Sequence, residues 1–229
     1  MKPKTKFKSK IKPKILGTEP AIDPTPAVKI LNEKGSKIVI LLSGGEYGDT
    51  GPFMYPPDQH ADYDTFLNAI TANGWKAIIP YGRRDLGDWY DKLINVYEKP
   101  DIILGHSEGG FLGMQLAEDN PGAFSKYLLF NVPLIYPSTN GWKECYSKAR
   151  IIRDDVTIIM SKQDRHLQDN GIMGWSMNGI SMDDAANSIR SLRFPNLTVV
   201  ELDIDGYEHS PFPSGIALSK FEEVTASNT

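Results

Sequence analysis

The chain has 229 residues, 40 % hydrophobic and 24 % charged, with a formal charge of −4, a composition that excludes a disordered or fibrous protein. Folded as one body, a chain of this size buries roughly 70–75 % of the surface its unfolded form exposes, so it needs no disulfide or metal for stability. Cys145 is the single cysteine, which excludes an intramolecular disulfide and a cysteine-held zinc.

The mild net charge conceals an asymmetry. Lysine fills every even position from Lys2 to Lys14 with no acid among them, a local charge of +7, and leaves 18 basic against 29 acidic side chains in the remainder. Residues 1–16 therefore form a lysine-rich arm or edge strand, and residues 17–229 are expected to be a single domain. As a tail, the arm would hold acidic polymers or surfaces weakly and in a salt-dependent way. As a strand, its period of two sets Phe7, Ser9 and Ile11 opposite the lysines, with Pro3 and Pro13 limiting its length. Lysines on an edge strand also discourage pairing with other edges. Survival of full stability after proteolytic removal of residues 1–14 is the mark of a tail. No signal-peptide-like apolar run and no stretch of about 18 apolar residues is found, so the expected location is the cytoplasm.

Pro20, Pro24 and Pro26 make residues 17–26 an extended connector. Seven short β-branched or apolar runs follow, at 28–31, 38–42, 77–79, 102–104, 128–130, 156–160 and 197–202. Most are too continuous for strands with one solvated face, and they predict buried strands of a largely parallel sheet. Helix-length segments lie between several of them. One covers 63–72 and stops at Asn73-Gly74, a second covers 109–118, and a third starts near Ser181, which caps it ahead of Asp183 and Asp184. Alternation of strand and helix predicts an α/β protein with a doubly wound, mostly parallel sheet flanked by helices.

Gly105-His106-Ser107-Glu108-Gly109-Gly110 stands directly after the apolar run 102–104 and directly before the helix-like run Phe111-Leu112-Gly113-Met114-Gln115-Leu116. A bare Gly-x-Ser-x-Gly is weak, arising by chance roughly 0.1 times in a chain of this composition. The strand, tight turn and helix around it give it weight, because such a turn needs glycines where helix and strand approach closely while the serine hydroxyl is held above the sheet.

This segment resembles the nucleophile elbow of the α/β-hydrolase superfamily, and the order of elements from about Val28 to Phe221 resembles a compact member of its serine esterase and lipase-like branch, without a large lid domain. The resemblance implies a triad in the chain order serine, acid, histidine. Ser107 is then the nucleophile. The acid is expected after the next-but-one strand, where Asp164 follows the run 156–160; Asp154, Asp155, Asp169 and Asp205 are its rivals. The histidine is expected after the last strand, at His209, whereas His166 lies in the acid's loop. The oxyanion donors implied are the backbone N–H of Glu108 and one from Ser43-Gly44-Gly45-Glu46, where Gly45 is favoured over Gly44 and Glu46.

Loops 46–61, 133–148 and 162–181 overhang the predicted serine and are rich in aromatic and methionine residues suited to an apolar acyl or aryl group. Tyr47, His106 and Trp175 are candidate pocket residues. The activity implied is hydrolysis of a carboxylic ester, small or polymer-attached, through an acyl-enzyme; thioester or amide cleavage and acyl transfer use the same parts. No cofactor or metal is implied. Neither a Rossmann nor a Walker glycine pattern is present, so a nucleotide site and a nucleic-acid partner are not expected. A reading from another class keeps the fold and docks it through the lysine arm as a non-catalytic binding protein. Candidates for all three triad members favour the enzyme.

Overall fold

The computed structural model describes residues 27–42, 57–81, 99–132, 149–164 and 182–226. The lysine arm, Gly45, Tyr47, His166, Asp169 and Trp175 lie outside them.

Seven strands form one sheet: β1 (Ala27–Leu31), β2 (Lys37–Leu42), β3 (Trp75–Tyr81), β4 (Ile102–His106), β5 (Lys126–Phe130), β6 (Asp155–Ser161) and β7 (Leu197–Leu202). Their order is β1-β3-β2-β4-β5-β6-β7. Each of the seven expected runs is a strand. All neighbours are parallel except β1, which pairs antiparallel to β3 with Ala27 opposite Tyr81. The helices are α1 (Pro57–Ala72), α2 (Glu108–Asp119), α3 (Met182–Arg190) and α4 (Ile216–Ala226). Helix α1 begins earlier than the apolar period implies because Pro57, at its first position, has the backbone angle a helix start requires and no N–H to leave unpaired.

Why the strands are nearly continuous in apolar residues is visible in what each face touches. Along β2, Ile38, Ile40 and Leu42 share a core with Phe111, Leu112 and Met114 of α2, and the same core continues to Met182, Ala185 and Ile189 of α3, which covers β6 and β7. The alternate residues Val39 and Leu41 join Tyr63, Phe66, Leu67 and Ile70 of α1 and Ala217 and Phe221 of α4. Both faces are dry, so the two-residue period separates two cores rather than core from solvent.

Helix α4 is an addition to the expected elements. Ala217, Phe221 and Val224 recur at helical spacing, and Phe221 meets the edges of Trp75 and Phe66 with ring centroids 4.8 and 5.8 Å apart. Such aromatic contacts contribute about 0.5–1.5 kcal/mol each beyond area burial.

Parallel strands end on a common edge of the sheet, and the chain reverses its direction of travel between β2 and β4. Leu42 ends β2 opposite Gly105 of β4. A crevice at such a reversal, beyond the carboxyl ends of the strands, is where open α/β sheets place their sites.

Helix α2 presses directly on β4. A Cβ on Gly105 would stand 2.5 Å from the carbonyl oxygen of Gly109 and 2.9 Å from Cα of Gly110, whereas one on Gly113 would meet only a terminal methyl of Leu129, at 2.7 Å. Gly105→Ala is expected to destabilise by about 3 kcal/mol, because backbone must move. Gly113→Ala is expected to be close to neutral, since Leu129 can rotate and alanine favours the helix by about 1 kcal/mol. Urea unfolding of the two variants checks the contrast.

Candidate active site

The backbone of Ser107 has φ 53° and ψ −124°, a combination sparsely populated by residues with a Cβ and worth about 1–3 kcal/mol of strain. It is held there from both sides. Its N–H donates to the carbonyl of Phe130 at 2.9 Å, and its carbonyl accepts the first turn of α2 from the N–H of Phe111 at 3.1 Å. Although Ser107 occupies the cap position of the helix, its hydroxyl makes no capping bond. The amides of Glu108, Gly109 and Gly110 precede the first intrahelical bond, so they are donors left over by helix geometry, at the positive end of the helix dipole.

Asp164 and His209 come together although 45 residues separate them: His209 Nδ1 stands 2.8 Å from Asp164 Oδ2. Asp164 lies three residues beyond β6 and is fully buried, while the His209 side chain is 21 % exposed. The turn carrying the acid is fastened by the N–H of Gln163 to Ser161 Oγ at 3.1 Å and by the N–H of Lys162 to the carbonyl of Leu202 at 2.9 Å. Gln163 Nε2 also donates to Asp203 Oδ1 at 2.9 Å, tying this turn to the chain that leaves β7. Among the rivals, Asp154 serves elsewhere. Its carboxylate accepts the N–H groups of Gly122 and Phe124 at 2.7 and 3.0 Å, at the opposite end of β6. Asp155 is the first residue of that strand. Asp205 is exposed in the turn before Tyr207.

The His209 segment descends from β7 through a turn closed by Tyr207 N–H to the carbonyl of Ile204 at 3.0 Å, with Gly206 at φ +80°. It is clamped by buried rings on either side of the histidine. Ser161 Oγ donates to the carbonyl of Tyr207. Phe212 sets its edge against Tyr63 and Phe66, with centroids 4.5 and 5.4 Å apart.

His106, a candidate pocket residue, is the last residue of β4. Alternation along β4 turns its ring to the face of Ile102 and Leu104, where it is 1 % exposed. There it lies 4.8 Å from the His209 ring and 5.9 Å from that of Phe212, and its Nε2 is 2.8 Å from the carbonyl oxygen of His209. The residue before the serine thus touches the residue opposite the acid. The backbone of Glu108 is in place at the start of α2, and Gly45, Tyr47 and Trp175 are beyond the described residues.

Asn131, buried and at φ 45°, is a component that the sequence motifs do not reveal. Its Oδ1 accepts the N–H of Ser161 at 2.8 Å and the hydroxyl of Tyr207 at 3.3 Å. The only sequence signal is a polar residue directly after an apolar strand. Burial, and secondarily the charge of Asp164, push the Tyr207 hydroxyl well above the ordinary tyrosine range.

A serine in a strained strand-to-helix turn, an acid after β6 and a histidine after β7, on a sheet of this order, define the α/β-hydrolase fold, and this is the fold of the chain. No protein-family model and no curated protein matches the sequence. Solved structures do match. The monoacylglycerol lipase of Paleococcus ferrophilus superposes with a TM-score of 0.56 at 14 % identity, over 88 % of this chain and 97 % of the lipase. A thioesterase domain from the curacin biosynthetic pathway gives 0.57 at 10 % identity, over 85 % and 93 %. A structure from a study of carboxylesterases of the ammonia-oxidizing thaumarchaeon Nitrososphaera gargenis gives 0.57 at 12 % identity, over 89 % and 96 %. No helix among the described residues is long and apolar enough to cross a membrane.

Two stability effects follow from this geometry. Ser107→Gly is expected to unfold at higher temperature than Ser107→Ala by an amount worth about 1 kcal/mol, because only glycine relieves the strain at this φ and ψ. For Tyr207 the folded pKa lies above the unfolded one, so its contribution is complete below about pH 10 and declines as pH rises beyond it, by about 1.4 kcal/mol per pH unit. Tyr207→Phe is expected to remove that alkaline slope while costing about 1 kcal/mol at neutral pH through the lost hydrogen bond. Denaturant titrations between pH 7 and 11 read both quantities.

Proposed function

We propose that the protein is a serine hydrolase that cleaves a carboxylic ester through an acyl-enzyme. The observation that carries this reading is the Asp164–His209 hydrogen bond at the same sheet edge as the strained elbow serine. With Nδ1–H donated to a buried carboxylate, the proton-free Nε2 of His209 is the base.

Ser107 Oγ attacks the acyl carbon as Nε2 takes its proton, and Asp164 holds the tautomer and stabilises the imidazolium. The carbonyl electrons become an oxyanion that the Glu108 N–H receives, with Gly45 proposed as the second donor; each donor is worth about 2.7–4 kcal/mol in the transition state. Collapse expels the alcohol, protonated by His209. Water then repeats the sequence on the acyl-enzyme, losing a proton to Nε2 and releasing the acid while Ser107 recovers its proton.

The lipase and the carboxylesterase-study structure among the structural neighbours support ester chemistry, and the thioesterase domain among them makes a thioester the informative second substrate. Fluorophosphonate is expected to label Ser107 in the folded protein, and p-nitrophenyl acetate or butyrate to be turned over. Ser107→Ala should lower kcat by about 10⁴- to 10⁶-fold and Asp164→Asn by about 10⁴-fold, with the fold kept. Activity should fall on acidification, as the imidazole gains the proton it must be free to accept. Absence of labelling at Ser107 would reject the enzyme and return the binding-protein reading.

A further inference from the structure

Resting on the catalytic role proposed for His209, we infer that Asn131 and His106 are positioning residues that set the imidazole by gripping the backbone of His209 rather than its ring. The carbonyl oxygen of His209 receives two donors, Asn131 Nδ2 at 2.6 Å and His106 Nε2 at 2.8 Å. Asn131 Nδ2 also reaches the carbonyl of Glu208 at 3.2 Å. The donors come from the ends of β5 and β4, the two strands that hold Ser107 through its N–H and its chain connection. His209 otherwise hangs from a loop after β7, at the far side of the sheet. Its ring is fixed by Asp164 at one nitrogen, but a ring on a drifting backbone would carry the other nitrogen away from the serine. A carbonyl tied to β4 and β5 puts base and nucleophile in one frame.

Asn131 suits this task because its amide divides its duties. Oδ1 accepts from Ser161, at the end of the strand that leads to the acid, while Nδ2 donates to the loop of the base. One planar group thus sets the spacing of acid and base loops. Its φ of 45° belongs to the left-handed region that asparagine tolerates better than most residues, so the side chain leaves the sheet edge at an angle an extended residue would not offer. For His106 the contact with a carbonyl requires a proton on Nε2, so its ring acts as a donor.

The sharp variant is Asn131→Asp, isosteric with the wild type: it keeps the acceptor for Ser161 and Tyr207 and sets an oxygen against the carbonyls of Glu208 and His209. His106→Phe removes the second donor, and His106→Gln restores an N–H at similar reach. Positioning predicts that Asn131→Asp and His106→Phe lower kcat on p-nitrophenyl butyrate about 10- to 100-fold, with KM unchanged, and that His106→Gln recovers most of the loss. A merely structural role would not split kcat from KM in this way. The second readout needs no turnover: the downfield NMR resonance of the His209 Nδ1 proton, followed in a Ser107→Ala background, should shift or broaden in Asn131→Asp and His106→Phe and return in His106→Gln. An unchanged resonance in both variants overturns the inference, as does wild-type kcat in both. Failure of wild-type labelling at Ser107 would defeat the functional reading alone, and the resonance would still decide the positioning.

Discussion

The close passage of α2 over β4 is the constraint on which the other features of the site depend. Gly105 lets the backbone of Gly109 and Gly110 approach to a distance no side chain permits, and the single residue left to turn the chain between strand and helix is Ser107. Its unfavourable backbone angles are the consequence of joining two elements that are already packed. The large buried faces of sheet and helix supply the free energy that holds them, and the serine hydroxyl stands beyond the sheet edge, where it makes no capping bond to the helix. Glycine would sit there at lower cost but has no hydroxyl to serve as the proposed nucleophile.

Asp164 and His209 pose a different problem, because they arrive on loops. Asp164 is removed from water, with its Oδ2 2.8 Å from the imidazole beside it. His209 keeps part of its ring exposed, as the role of base proposed for it requires. Between them the structure builds a buried polar layer from Ser161, Tyr207 and Asn131, with hydrogen-bond partners for each. A buried network of this kind is costly if half satisfied and rigid if complete. Here it lies directly beneath the loops whose relative placement matters.

Much of this was legible in the chain. The seven strands announce themselves by apolar runs that only a sheet covered on both faces needs, and Gly105, Ser107 and Gly109 announce the turn. The pairing of Asp164 with His209 is expected from the element order that the resemblance to the hydrolases implies, not from any local pattern of their own. Helix α4 carries a readable spacing at Ala217, Phe221 and Val224, but its anchoring depends on Trp75, which is 146 residues before Phe221. The place of His106 among Phe212 and the His209 loop follows from strand alternation along β4 and from contacts at least 103 residues apart, which no local pattern shows.

The sequence by itself determined the alternation of strands and helices, the position of the strained turn and the residue types that a nucleophile, an acid and a base demand, because periodicity, glycine placement and side-chain chemistry are local properties. The lysine arm with its +7 charge also belongs to that local record. Only the tertiary structure decided which carboxylate meets which imidazole, and that Asn131 and His106 grip the backbone of His209. Those contacts join residues 45 to 103 positions apart, and a hydrogen bond between distant segments exists only after the sheet has set its strand order and register.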